Sequence, residues 1–169
     1  MSQPNVLFII TDQQRVDTIG SYGCELGATP TIDRMAAAGC RFQDAYCNNP
    51  LCMPSRASIL TGRYPNTHGV RTNGCIAHQE LPLLPEQLKK AGYDTAAFGK
   101  MHFHPGSCEN AGGYWPEHRE LVDAGVDLTQ PYLGFDTIRL GLGHSEILPG
   151  LHERGMAETH PEILKLRGP

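Results

Sequence analysis

One uninterrupted apolar run, "NVLFIIT" at residues 5–11, constrains this chain more than any other feature. Side chains on a strand alternate between faces, so a strand with one wet face alternates apolar and polar residues. This run is apolar on both faces. It predicts a central strand covered on both sides, as in a parallel sheet. The run stops in a polar cluster, Thr11, Asp12, Gln13, Gln14 and Arg15. Ligands in open α/β sheets sit just beyond the carboxyl ends of such strands, so this cluster stands where chemistry is expected.

Helical patterns alternate with short apolar runs along the rest of the chain. "TPTIDRMAAAG" predicts a helix, with Thr29 or Thr31 as cap, Pro30 in the first turn and Gly39 as the stop. "CRFQDAYC" alternates loosely and predicts a short strand. "PSRASILTGR" predicts a helix with Pro54 near its first position and Gly62 at its end. "LPEQLKKAGYDTAAFGK" predicts a helix, a break at Gly92 and a strand from Asp94 to Gly99. "YLGFDTIRL" predicts one more strand, and the tail after it is loop-like with a helical turn or two. Such alternation implies an α/β layered fold.

The chain has 169 residues, enough for one domain with a core, and is 40% hydrophobic and 19% charged. The formal net charge of −4 and the scattered Lys and Arg argue against a nucleic-acid surface. No segment approaches the roughly 20 apolar residues of a membrane span. The first residues lack a basic region, which predicts no secretory leader and a cytoplasmic location. Without a leader, the six cysteines are expected to be reduced thiols.

Cys52 is the exception to packing material. Free cysteine is most often a small buried hydrophobe. Here Pro54 sets Cys52 at or just before a helix start, where unpaired N–H groups and the dipole favour an anion. Arg56 adds a positive charge nearby. Such a place suits a nucleophile. A cysteine hydrolase would need a base, with His68 and His102 available in the sequence. A zinc site from Cys47, Cys52, His102, His104 and Cys108 has a spacing that fits no common zinc pattern.

"CMPSRASILTGRYP" resembles the signature of the type I sulfatases of the alkaline phosphatase superfamily: Cys-x-Pro-Ser-Arg, a helix, then Thr-Gly-Arg. "NVLFIITDQQRVDTIGSYG" resembles the family's first strand and metal-binding turn. "TPTIDRMAAAGCRFQDAYC" resembles the helix and strand that follow, "GYDTAAFGKMHF" the Gly-Lys-x-His segment, and "GFDT" a structural strand. The resemblance covers most of residues 5–140. It implies a three-layer α/β/α sandwich around a mostly parallel sheet, incomplete in this chain.

The resemblance also implies the chemistry. Cys52 would be oxidised to Cα-formylglycine by a formylglycine-generating enzyme. Asp12 and Gln13, with the modified Cys52, would hold a divalent cation. Their hard oxygen donors suit calcium first, with magnesium and manganese next, over zinc. Arg56 would hold the hydrated aldehyde, while Lys100 and His102 would grip sulfate oxygens and the departing oxygen. One hydroxyl of the hydrate would attack sulfur in line with the leaving alcohol, and His102 would protonate that alcohol. The second hydroxyl would then expel sulfate by elimination and restore the aldehyde. His68 in "YPNTHGV" is expected to be structural, behind the helix, with His104 as a supporting residue.

Two departures qualify the match. Gln13 stands where many sulfatases carry Asp, and it resembles the phosphonate monoester hydrolase branch. The family's downstream metal ligands, and a further histidine and lysine, have no counterpart here. Asp123, Asp127 and Asp136 lack the required context. Residues 1–169 therefore read as the N-terminal portion of a sulfatase catalytic domain, expected to be inactive alone and to associate with the missing half. The substrate is expected to be a small sulfate ester, with no nucleic acid or membrane partner, and a homo-oligomer is compatible with the reading. The alternatives are phosphonate or phosphodiester hydrolysis on the same scaffold, or an inactive module with unmodified Cys52.

Overall fold

The structure is a computed structural model that describes residues 3–78, 80–104 and 131–141, together with residues 158, 159 and 162. The loop expected over 105–130, most of the tail, and Cys108, Asp123 and Asp127 lie outside the described residues. The chain divides into two compact units, Met1–Tyr46 and Cys47–Pro169.

In the first unit, two 3-10 turns, Val16–Thr18 and Gly20–Tyr22, precede helix α1, Pro30–Ala38. Pro30 opens the helix as its sequence requires. Thr29 does not cap it, because its hydroxyl is committed elsewhere. Thr29 Oγ1 accepts the Gly20 N–H at 2.9 Å, and Asp33 Oδ1 accepts the Ser21 N–H at 2.6 Å. The first turn of α1 thus holds the second 3-10 turn. A Cβ at Gly20 would stand 2.4 Å from Asp33 Oδ2, so a side chain there would displace the carboxylate that holds this turn.

The apolar run differs from its expectation. Val6 to Ile10 belong to no strand among the described residues, and they are 42–85% exposed. A strand is made by its neighbours, and here none of the described residues supplies a ladder or a covering face. "CRFQDAYC" likewise forms no strand. Its Arg41 instead donates to the Ser21 carbonyl and lies 5.1 Å over the Tyr22 ring.

The second unit carries the core. Helix α2, Cys52–Thr61, ends at Gly62, whose φ of 64° lets its N–H reach the Ser58 carbonyl at 2.9 Å. Helix α3, Pro65–His68, follows, and helix α4, Leu84–Lys90, opens with Glu86 Oε2 accepting the Leu83 N–H at 3.2 Å. Strands β1, Ala96–Gly99, and β2, Thr137–Leu140, pair in parallel with Ala96 opposite Thr137 and Gly99 opposite Leu140. Met53, Ala57, Leu60, Val70, Ala77, Leu83 and Phe103 form one buried cluster. Ile138 and Leu140 are the buried side of β2, while Phe98 on β1 is exposed.

The "GFDT" segment is structural, as its resemblance implies. Asp136 pairs with Lys89 of α4, and its N–H donates to the Thr95 carbonyl at 3.0 Å. A Cβ at Gly134 would stand 2.6 Å from the backbone nitrogen of Glu86, so the turn that leads into β2 is pressed against the first turn of α4. Five cysteines, at 24, 40, 47, 52 and 75, are described, and all are free thiols.

Candidate functional site

Helix α2 begins at Cys52, so Pro54 is its third residue rather than its first. Proline is tolerated there because N–H groups of the first turn have no partner within the helix. Leu51 stands at the cap position and has no side chain to offer those donors. The chain supplies them from elsewhere. Asn49 Oδ1 accepts the Leu51 N–H at 2.9 Å, and Asn73 Oδ1 accepts the Met53 N–H at 3.1 Å. The Gly74 N–H lies 3.2 Å from Met53 Sδ, and Asn49 Nδ2 donates to the Arg71 carbonyl at 3.4 Å. Cys52 therefore sits, half-buried, at a helix start whose cap comes from a loop twenty residues downstream.

Arg56 follows Cys52 by one helical turn, which puts both on one face. Arg56 is 8% exposed, and its guanidinium donates through Nη1 to the Lys100 carbonyl at 2.6 Å. The bond joins α2 to the residue just past β1, so three of the expected site residues share one neighbourhood of chain: Cys52, Arg56 and Lys100. Lys100 emerges after Gly99, whose φ of +82° turns the backbone out of the strand. Asp12 and Gln13 belong to the first unit.

Backbone strain marks two expected residues. Four non-glycine residues among those described have positive φ, and they include Gln13 at 49° and His102 at 47°. Such conformations cost on the order of 1 kcal/mol and persist where their surroundings demand them. Gln13 closes the polar turn after the apolar run, with Asp12 beside it. The pair offers a carboxylate and an amide oxygen, a hard donor set that fits a calcium- or magnesium-type cation. It supplies part of the six to eight oxygens such an ion takes. Among the described residues, no three His, Cys, Asp or Glu side chains gather at one point.

His68 cannot serve Cys52 as a base. It is fully buried; Nδ1 accepts the Val70 N–H at 3.1 Å, and Nε2 lies 3.0 Å from Ser58 Oγ. Burial, with His78 nearby, holds its proton affinity below the ordinary histidine value. Both nitrogens are committed, in keeping with a structural role. His104 is also buried, hydrogen-bonds the Tyr132 hydroxyl through Nδ1 and packs edge-on to Phe103. Burial lowers its pKa to about 3, so it is neutral at ordinary pH. Asn49, Ser58 and Asn73 have no signal in the sequence beyond the turn-forming "NG" at 73–74. A cap borrowed across twenty residues leaves no local pattern.

The helix start, its arginine and the lysine behind β1 define a class, and comparison with known proteins agrees: the chain belongs to the sulfatase family, whose model, described as Sulfatase, matches residues 4–139. It is 42% identical over 121 residues to the N-acetylgalactosamine-6-sulfatase of Homo sapiens, covering 60% of this chain and 23% of that protein. Among solved structures it resembles a protein in complex with its substrate D-glucosamine-2-N,6-O-disulfate, at 38% identity and a TM-score of 0.58, covering 62% of this chain and 22% of that one. It also resembles the phosphonate monoester hydrolase of Agrobacterium radiobacter, at 26% identity and a TM-score of 0.65, covering 94% and 30%. The α/β layered reading of the fold therefore stands. The chain spans about a quarter of the length of the curated relative, 23%.

Proposed function

We propose that residues 1–169 are the nucleophile-bearing, N-terminal portion of a sulfatase catalytic domain, and that the whole protein hydrolyses small-molecule sulfate esters. The observation that carries this is the Arg56–Lys100 link at the start of α2, in a chain of the sulfatase family. Cys52, as formylglycine produced by a maturation enzyme, supplies a hydroxyl nucleophile and a second hydroxyl for sulfate release. By the family's pattern, Asp12, Gln13 and the modified Cys52 would hold a divalent cation, calcium foremost, which would supply charge neutralisation at the sulfate oxygens. Arg56, fixed by its buried bond, orients the group on Cys52. The Lys100 ammonium offsets charge on the transferring group. His102 delivers a proton to the leaving oxygen. Further ligands come from the part of the domain that this chain does not span.

Gln13 supports the second reading, phosphonate ester hydrolysis, since an amide removes one negative charge from the metal pair. Lys100 and His102 favour sulfate, as does the sulfatase relative at higher identity. The complete enzyme, made in a host that contains the maturation enzyme, is expected to show an aldehyde at position 52 by peptide mass. It is also expected to turn over aryl sulfates faster than aryl phosphonates. An intact thiol in that host, or a reversed rate order, overturns the proposal.

A further inference from the structure

We infer that His68 is a positioning residue: it clasps the base of the loop over 69–77, and the tip of that loop fixes where helix α2 begins at Cys52. The inference rests on Cys52 as the reactive position. His68 closes the loop in two ways. Its carbonyl accepts the His78 N–H at 2.9 Å, and its Nδ1 accepts the Val70 N–H at 3.1 Å. A nitrogen that accepts an N–H is bare, so the ring proton of the neutral imidazole sits on Nε2. That nitrogen then donates to Ser58 Oγ, on the second turn of α2. One ring therefore ties the loop's base to the body of the helix.

The tip of the same loop holds the helix's first turn. Asn73 accepts the Met53 N–H, and Gly74 approaches Met53 Sδ. Val70 and Ala77, near the loop's two ends, are buried in the cluster that contains Met53. Gly69 has φ of +83°, a left-handed conformation that glycine supplies where the chain turns into the loop. Leu51 offers no cap of its own. Loosening the base shifts Asn73, uncaps Met53, and lets the first turn carrying Cys52 fray while Arg56 stays bound to Lys100. The nucleophile then moves relative to its arginine. Such a shift is felt in the transition state more than in substrate binding.

The test uses the complete enzyme with kcat scaled to aldehyde content, and amide exchange at Met53. In His68→Gln the amide can reach Ser58 but not the Val70 N–H. In His68→Asn the short side chain can accept that N–H as an Asx-type turn does. His68→Gln is expected to speed Met53 exchange and to lower kcat by roughly tenfold with KM little changed, and His68→Asn to recover most of both. Asn73→Ala, a milder change, is expected to give the same signature, and the double variant with His68→Gln to be no worse than the stronger single. Met53 exchange at the wild-type rate in His68→Gln overturns the clasp, as do independent, additive effects of the two substitutions. A wild-type enzyme inactive on sulfate esters overturns the reading of the site instead, and Met53 exchange still decides the clasp.

Discussion

Helices α1 and α2 are nearly equal in length and opposite in circumstance. Helix α1 has an amphipathic sequence and buries none of its residues, with Ile32 37% and Met35 61% exposed. Helix α2 lacks a distinct apolar face and buries seven of its ten residues, Arg56, Ser58 and Thr61 among them. The segments that cover α2, from Val70 to Phe103, are supplied by the second unit itself. The apolar surfaces of α1 and of Val6 to Ile10 find no cover among the described residues. Amphipathicity thus records where a helix expects a partner, and burial records whether this stretch of chain contains it. Around its helix the second unit is locally complete; the first, among the described residues, is not.

Acid provides the widest separation of the two units. His104 and His68 have folded-state pKa values below the ordinary value, so below pH of about 6.5 the unfolded chain binds protons that the folded one refuses. Stability contributed by their neutral forms is complete above that pH and falls as pH drops, for His104 down to about 3. Between about pH 6.5 and 3 the slope for His104 approaches about 1.4 kcal/mol per pH unit. Residues 1–46 contain no histidine. Amide protection factors, corrected for the intrinsic slowing of exchange in acid, are expected to fall between pH 7 and 5 in the second unit and not in the first, and His104→Asn to flatten the response. An equal fall in both units would erase the contrast.

Core truncation gives the next largest effect. Met53→Ala, at 1% exposure, is expected to cost about 3 kcal/mol, and Met35→Ala on α1 about 0.5 kcal/mol or less, by urea denaturation. Similar losses would mean that α1 is covered after all. Smaller still is a pair of glycines. Gly134→Ala meets the Glu86 backbone and strains a positive φ, and is expected to cost about 2 kcal/mol. Gly23→Ala in the first unit has a positive φ but open space around it, and is expected to cost about 1 kcal/mol. Thermal midpoints of the two variants check the order.

Helices were legible because their signals are local. Pro30, Gly62, Gly92 and the apolar spacing between them place α1, α2 and α4 within a residue or two. The strands were legible only where both partners lie within the described chain, as for β1 and β2. Val6 to Ile10 carries the strongest strand pattern of all and pairs with nothing described, because a ladder is a property of two segments. The site divides in the same way. Cys52 and Arg56 stand in a contiguous motif, and their shared helical face follows from spacing alone. The hydrogen bonds from Met53 to Asn73 and from His68 to Ser58 join residues twenty and ten apart, and no periodicity announces them. His68 could be read as structural but not as the ring that holds a loop.

The bond from Arg56 to residue 100 has a consequence for how such a site can change. The guanidinium grips a main-chain oxygen, which every amino acid possesses. The anchor is therefore indifferent to what residue 100 displays. Under the proposed function, a new head at position 100 changes what faces the ester and leaves this one main-chain bond in place.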